Sequence, residues 1–126
     1  MRILITGITG QLGKSLIDIK PENHEIIAPK RDELDLSNTQ ECENIIKESK
    51  PDWLINCGAF IDVDAAELNK DIAIKVNADA PAAFAKAIKK QGGNLIQIST
   101  DYVFEGNKRD LPYKIDDETN PQNIYG

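Results

Sequence analysis

Seven residues near the amino terminus carry the sharpest chemical signal. Gly7-Ile8-Thr9-Gly10-Gln11-Leu12-Gly13 spaces three glycines as GxxGxxG. The run follows a short apolar segment, Arg2 to Thr6, and opens a stretch with helical spacing. Glycines in that place permit a tight turn and let backbone N–H groups come close to a diphosphate. The helix start adds a partial positive charge aimed at the same anion. A turn that merely lets strand and helix pack would use the same glycines. The spacing is not GxGxxG, and the full GxxxxGK[ST] pattern is not met, which speaks against a P-loop nucleotidase. Later come Ser99-Thr100-Asp101-Tyr102 and Tyr125. A hydroxyl and a tyrosine of this kind can hold and protonate a carbonyl oxygen during hydride delivery. A free tyrosine titrates near ~10, so it needs a neighbouring cation to do this efficiently. Taken singly, the two residues are a strand-end threonine and a loop tyrosine.

Other positions refine this reading. Pro29-Lys30-Arg31 ends the second apolar run. An acidic residue there would bind a ribose 2′-hydroxyl, so the basic pair slightly favours NADPH over NADH. Asp32 and Glu33 follow at once, and a solvated charge run accounts for the same residues. Asp35 and Leu36 fit either an adenine contact or a helix cap. Small residues in Asn56-Cys57-Gly58-Ala59-Phe60-Ile61 let a flat ligand lie on backbone, and also allow tight strand-to-helix packing. Asp62, Asp64 and Glu67 are carboxylates at a helix start before they are metal ligands. His24, the one histidine, has no nucleophile nearby in sequence and reads as a surface residue, so a Ser–His–Asp hydrolase has no support. Cys42 and Cys57 lack CxxC spacing and read as idle thiols in a reducing cytoplasm.

The elements that must position these residues alternate in kind. Arg2 to Thr6, Glu25 to Ala28, Trp53 to Asn56 and Asn94 to Ser99 are short and nearly continuous in apolar character, as strands buried on both faces are. Gln11 to Ile19, Thr39 to Glu48 (capped by Ser37 or Asn38, with Pro51 beyond) and Ala65 to Gln91 have helical spacing. The last holds one or two helices, with Ala78 to Lys90 stopped by Gly92 and Gly93. Strict βα alternation predicts an α/β fold: a doubly wound parallel sheet with right-handed crossovers and a ligand at the carboxyl ends of its strands. The 126 residues carry a net charge of −6 and are 40% hydrophobic, ample for one domain. The acidic balance disfavours a nucleic-acid or anionic membrane surface. No apolar run approaches the roughly 20 residues of a membrane span, and the first strand leaves no room for a signal peptide. Thr100 to Gly126 has no periodicity and reads as an active-site loop.

GITGQLG, RDELDLSN, PDWLINCGAFIDVDAAE, VNADAP and STDYVFEG, followed by PY, NPQN and YG, together resemble the extended short-chain dehydrogenase/reductase superfamily. More narrowly the chain is similar to the dTDP-4-dehydrorhamnose reductase family, from the first strand to the last residue. The resemblance implies a Rossmann-like domain, a nicotinamide cofactor (NADPH or NADH) and a dTDP-4-keto-6-deoxysugar substrate. It places cofactor contacts on Gly7, Gly10, Gln11, Leu12, Gly13, Asp35, Leu36, Ala59, Phe60, Ile61 and Tyr125. It places the active-site hydroxyl on Thr100, substrate contact on Thr100 and Asp101, and the catalytic tyrosine of YxxxK on Tyr125. Phe60-Ile61 departs from a family pattern in which threonine more often follows the aromatic or histidine.

The motif lysine would come after Gly126, as would the substrate lobe and the remaining strands. The expectation is therefore an incomplete Rossmann-like domain over residues 1–126, cut after about four strands, with little or no turnover alone. Its open sheet edge predicts association, and a homodimer fits the resemblance. A cofactor-binding regulatory subunit of another enzyme, or a sugar-nucleotide epimerase or dehydratase, would share much of the pattern.

Overall fold

The computed structural model describes residues 1–107 and 110–126. Its frame is one parallel sheet of four strands in the order β2-β1-β3-β4. The strands are β1 (Arg2–Thr6), β2 (Glu25–Ile27), β3 (Trp53–Asn56) and β4 (Asn94–Gln97). Ile3, Leu4, Ile5 and Thr6 of β1 lie opposite Trp53, Leu54, Ile55 and Asn56 of β3. Five helices join them: α1 (Gln11–Asp18), α2 (Thr39–Ser49), α3 (Val63–Leu68), α4 (Lys70–Ile74) and α5 (Ala80–Lys90). A π-helical turn, Lys75–Asp79, links α4 to α5, and a 3-10 turn, Asp101–Val103, follows β4. The expected α/β, Rossmann-like class is the observed one.

The core lies between the sheet and one helical layer. Leu4 and Leu54 meet Cys42 and Ile46 of α2 and Ala80, Ala83, Phe84, Ala87 and Ile88 of α5. Phe84 is wholly buried at its centre, and burial of such a ring contributes roughly 1.5–3 kcal/mol. The small alanines of α5 let the helix approach α2 closely. Right-handed crossovers put α2 and α5 on one face and leave α1 to the other. Ile5, on that second face, is 3% exposed.

Burial on both faces holds for β1, is partial for β3, where Trp53 and Ile55 are half-buried, and fails for β4. Ile96 is 42% and Ile98 43% exposed. β4 is the edge of the sheet, and among the described residues no α-helix follows it to cover its second face. The β2 strand, the opposite edge, is also open in part, and ends at Ile27, one residue short of expectation. His24 is half-buried instead of exposed, with a buried Nδ1 that has no hydrogen-bond partner. The turn in which its N–H donates to Pro21 tucks the ring inward.

Side chains set the start of α2. Asn38 Oδ1 accepts from the N–H groups of Gln40 and Glu41, so Asn38 and not Ser37 is the cap. Glu41 reaches back to accept from Asn38 Nδ2 and Asp35 N–H. The helix closes on Lys50, which sits in the left-handed region (φ 46°, ψ 57°) and donates to Ile46 O. A side chain there costs roughly 1–2 kcal/mol, against about 0.5–1 kcal/mol of extra entropy lost by glycine. Lys50→Gly is therefore expected to stabilise the chain by about 0.5–1 kcal/mol, read as a higher urea midpoint with an unchanged slope.

Candidate functional site

The carboxyl ends of β1 and β3 part company at the centre of the sheet. From β1 the chain leaves through α1 towards β2, and from β3 it leaves towards β4. Such a divergence opens a crevice above the strands. A cavity of about 490 Å3 occupies it. Its lining includes Gly7, Thr9 and Gly10 after β1, Lys30, Arg31, Asp35 and Leu36 after β2, and Gly58, Ala59, Phe60 and Ile61 after β3.

The floor depends on two backbones touching. Gly7 has φ +66°, and a Cβ there would lie 2.5 Å from Gly58 N and 2.6 Å from the Cys57 carbonyl carbon. Gly13 has the same constraint one turn on, since its Cβ would run into the Gly7 carbonyl. Below this contact Thr6 donates its hydroxyl to Asn56 Oδ1. Asn56 Nδ2 donates to Gln97 Oε1 at 2.7 Å, and Gln97 Nε2 donates to Ile98 O at 2.8 Å. Thr6 and Asn56 are both fully buried. Buried polar atoms are tolerated when they are bonded in this way. The chain of bonds ties the ends of β1, β3 and β4 together.

The start of α1 is left open. Gly10 caps α1 with no side chain, and no acidic residue lies in its first turn. By contrast Asn38 caps α2 and Asp62 caps α3, accepting from Ala65 N–H at 2.9 Å. The first N–H groups of α1 are thus free of side-chain acceptors beside the cavity.

The third wall is clamped from a distance. Asn77, in the π-helical turn, accepts from Phe60 N–H at 2.8 Å and donates through Nδ2 to Phe60 O at 2.9 Å. The amide pairs with Phe60 as a neighbouring strand would. The π turn is the local cost of presenting Asn77 there, and such turns are frequent at functional sites.

Charge in the second wall is ordered too. Asp35 accepts from Ser37 N–H and Ser37 Oγ at 2.8 Å. The backbone bond and then the hydroxyl bond hold its carboxyl below the ordinary value, against an opposing effect of burial, and the Arg31 charge adds a lesser lowering. Lys30 N–H is occupied by Glu33 at 2.8 Å, so Glu33 folds back on its own turn. Burial pushes the Cys42 thiol up to about 12 and raises the Cys57 thiol as well. Both cysteines are free. Among the described residues no group of three His, Cys, Asp or Glu could hold a metal, and no helix is long and apolar enough to cross a membrane.

A family model described as the RmlD substrate binding domain matches residues 1–126. This chain belongs to that family. A dTDP-4-dehydrorhamnose reductase of Mycobacterium tuberculosis is 40% identical, over 98% of this chain and 41% of that protein. A solved dTDP-4-dehydrorhamnose reductase of Clostridium acetobutylicum superposes with a TM-score of 0.93 at 42% identity, covering 100% of this chain and 45% of that one. One of Bacillus anthracis, solved in complex with NADP, gives 0.90 at 38% identity, covering 98% and 44%. The chain thus spans about two-fifths of the length of the curated relatives it matches, 41% in the first case.

Within this RmlD-family chain the expected site residues fall into groups. Gly7, Gly10, Asp35, Leu36, Ala59, Phe60 and Ile61 line the cavity. Gln11, Leu12 and Gly13 form the first turn of α1 outside the lining, and Gly13 serves the packing against Gly7. Thr100, Asp101 and Tyr125 also stand outside it. Thr100 caps the 3-10 turn, accepting from Tyr102 N–H at 3.2 Å and donating to Asp101 at 3.3 Å. The Tyr125 ring meets the Tyr102 ring edge-on at 5.5 Å. Gly126 sits so close to Tyr102 that a Cβ would collide with the Tyr102 carbonyl. Asn77 and the Thr6–Asn56–Gln97 row went unrecognised in the sequence. An asparagine inside a helical run, where it is a poor helix former, was the available signal for Asn77.

Asn77→Ala removes both bonds to Phe60 and is expected to cost about 1–3 kcal/mol, with loss of hydrogen-exchange protection at the Phe60 amide. Asn77→Asp keeps an acceptor for that amide, so protection persists while stability still falls. For Asp35, a depressed folded-state value means its stabilisation is present above the unfolded value of about 4 and lost as pH falls through the lower folded one. The melting-temperature gap between the parent and Asp35→Asn should therefore be full at neutral pH and close in strong acid.

Proposed function

We propose that this chain is the amino-terminal, cofactor-binding half of a longer NAD(P)H-dependent reductase acting on a dTDP-4-keto-6-deoxysugar. The observation that carries the reading is the cavity at the divergence of β1 and β3, with its uncapped helix start and Cβ-free floor. A diphosphate fits against this floor because no side chain caps the first amides of α1 and Gly10 places none beside them. Leu36 and the backbone of Ala59–Ile61 offer apolar surface for a flat ring. Lys30 and Arg31 supply positive charge at the end of β2, which favours the 2′-phosphate of NADPH over NADH. The relatives named as dTDP-4-dehydrorhamnose reductases, and the NADP bound to one of them, support the assignment.

When bound, a reduced nicotinamide supplies the hydride that adds to the substrate carbonyl carbon. Thr100 turns its hydroxyl from Asp101, a long bond at 3.3 Å, to the carbonyl oxygen. Tyr125 gives that oxygen its proton, so that the carbonyl becomes a hydroxyl. Asp101 holds a sugar hydroxyl beside them. A tyrosine does this at neutral pH with a cation close by, which the longer protein supplies beyond Gly126. The same reading places the protein in the cytoplasm, where both thiols stay reduced, and as a homodimer through surface left open in this half.

Calorimetric titration of the chain with NADPH and NADH tests the cofactor half. Saturable binding of both, tighter for NADPH and equalised by Arg31→Ala, is expected. Absence of saturation with either cofactor would remove the reading. In the full-length protein, Thr100→Val and Tyr125→Phe should each lower kcat by about 10²–10⁴-fold. A tight complex with another enzyme and no reductase turnover would replace catalysis with a regulatory role.

A further inference from the structure

Glu67 stands on α3, five residues beyond the cap that ends the cavity-lining segment. Its carboxylate accepts from Ile124 N–H at 2.8 Å, across 57 positions of sequence. It forms no ion pair among the described residues, and its place in the last turn of α3 gives it no capping role. The carboxylate faces the tail that carries Tyr125. Other contacts tie the tail to the loop after β4. Asn120 N–H donates to Val103 O at 2.9 Å, and Tyr125 and Gly126 rest on Tyr102. Among the described residues, Glu67 is the hydrogen-bonded link between the tail and the element that begins at the cavity wall.

We propose that Glu67 is a positioning residue for Tyr125: by holding Ile124 N–H, it sets the tyrosine-bearing backbone relative to the dinucleotide cavity. The inference rests on the reading of Tyr125 as the proton donor. Its physical content is geometric. The Ala59–Ile61 wall, α3, Glu67 and Ile124 form one bonded path, and the tyrosine is the next residue. Without the acceptor the tail keeps its contacts to Tyr102 but is free to swing about them. A charge-assisted bond to a backbone amide is short and directional, which suits this task. The chemistry asks for an acceptor oxygen and not for a charge, so glutamine can replace glutamate.

The test uses the full-length protein with Glu67→Ala, Glu67→Gln and Tyr125→Phe. Glu67→Ala should lower kcat about tenfold, because small misplacements of a reacting group carry penalties of that order, while the dissociation constant for NADPH stays unchanged. Glu67→Gln should restore most of the rate. In the Tyr125→Phe background Glu67→Ala should have no further effect, since both act on one group. The Ile124 amide should lose exchange protection in Glu67→Ala and keep it in Glu67→Gln. Unchanged kcat in Glu67→Ala, an undiminished effect of that change in the Tyr125→Phe background, or equal weakening of NADPH binding overturns the inference. If Tyr125→Phe alone keeps full turnover, the assignment of Tyr125 falls first, and the exchange experiment still reports whether Glu67 holds the tail.

Discussion

Gly7 and the Cys57–Gly58 peptide touch backbone to backbone above the centre of the sheet, and the rest of the site is built around that contact. A methyl group at Gly7 would lie within 2.5 Å of Gly58 N. The close approach brings the loops after β1 and β3 together as one floor. It also demands that the strands beneath be held in register. Thr6 and Asn56 do this with side chains in the dry interior, where a hydrogen bond gains strength and a missing one is costly, and Gln97 carries the row out to the exposed edge strand. Hydrophobic packing of Leu4 and Leu54 on α2 and α5 supplies the non-directional stability, and the polar row supplies the alignment.

The treatment of helix ends follows the same division of labour. Side chains close two of the helix starts, Asn38 for α2 and Asp62 for α3. Beside the cavity, glycine stands at the cap of α1 and no side chain accepts from its first amides. With glycine as the cap, the loss of capping stabilisation is only about a few tenths of a kcal/mol. The start of α1 is thus slightly less stabilised by its cap than those of α2 and α3.

Distant residues take over where local chain cannot. Phe60 has no strand to pair with, so Asn77 pairs with it from a π-helical turn. The tail after β4 has almost no regular structure, yet it is anchored at Val103, Tyr102 and Glu67. An irregular segment held by a few directional bonds can be placed accurately while remaining able to move when one bond is exchanged. Active-site loops generally combine these two properties.

The sequence by itself determined what is local. The period of apolar residues, the glycine spacing at Gly7, Gly10 and Gly13, and the stops at Pro51 and Gly92 were enough to read four strands, the helices between them, a parallel sheet and a ligand at its carboxyl edge. Each depends on neighbours within a turn or two, where backbone sterics and side-chain pattern decide the outcome. Tertiary structure decided the rest. It chose Asn38 over Ser37 as cap, left Ile96 and Ile98 exposed at the sheet edge, and folded His24 inward. It brought Asn77 to Phe60 and Glu67 to Ile124. These depend on which chain segments meet after the crossovers have formed. Hydrophobic pattern carries no information on polar partners many residues apart, because a hydrogen bond is specified by the position of two atoms and not by the residue types around either of them.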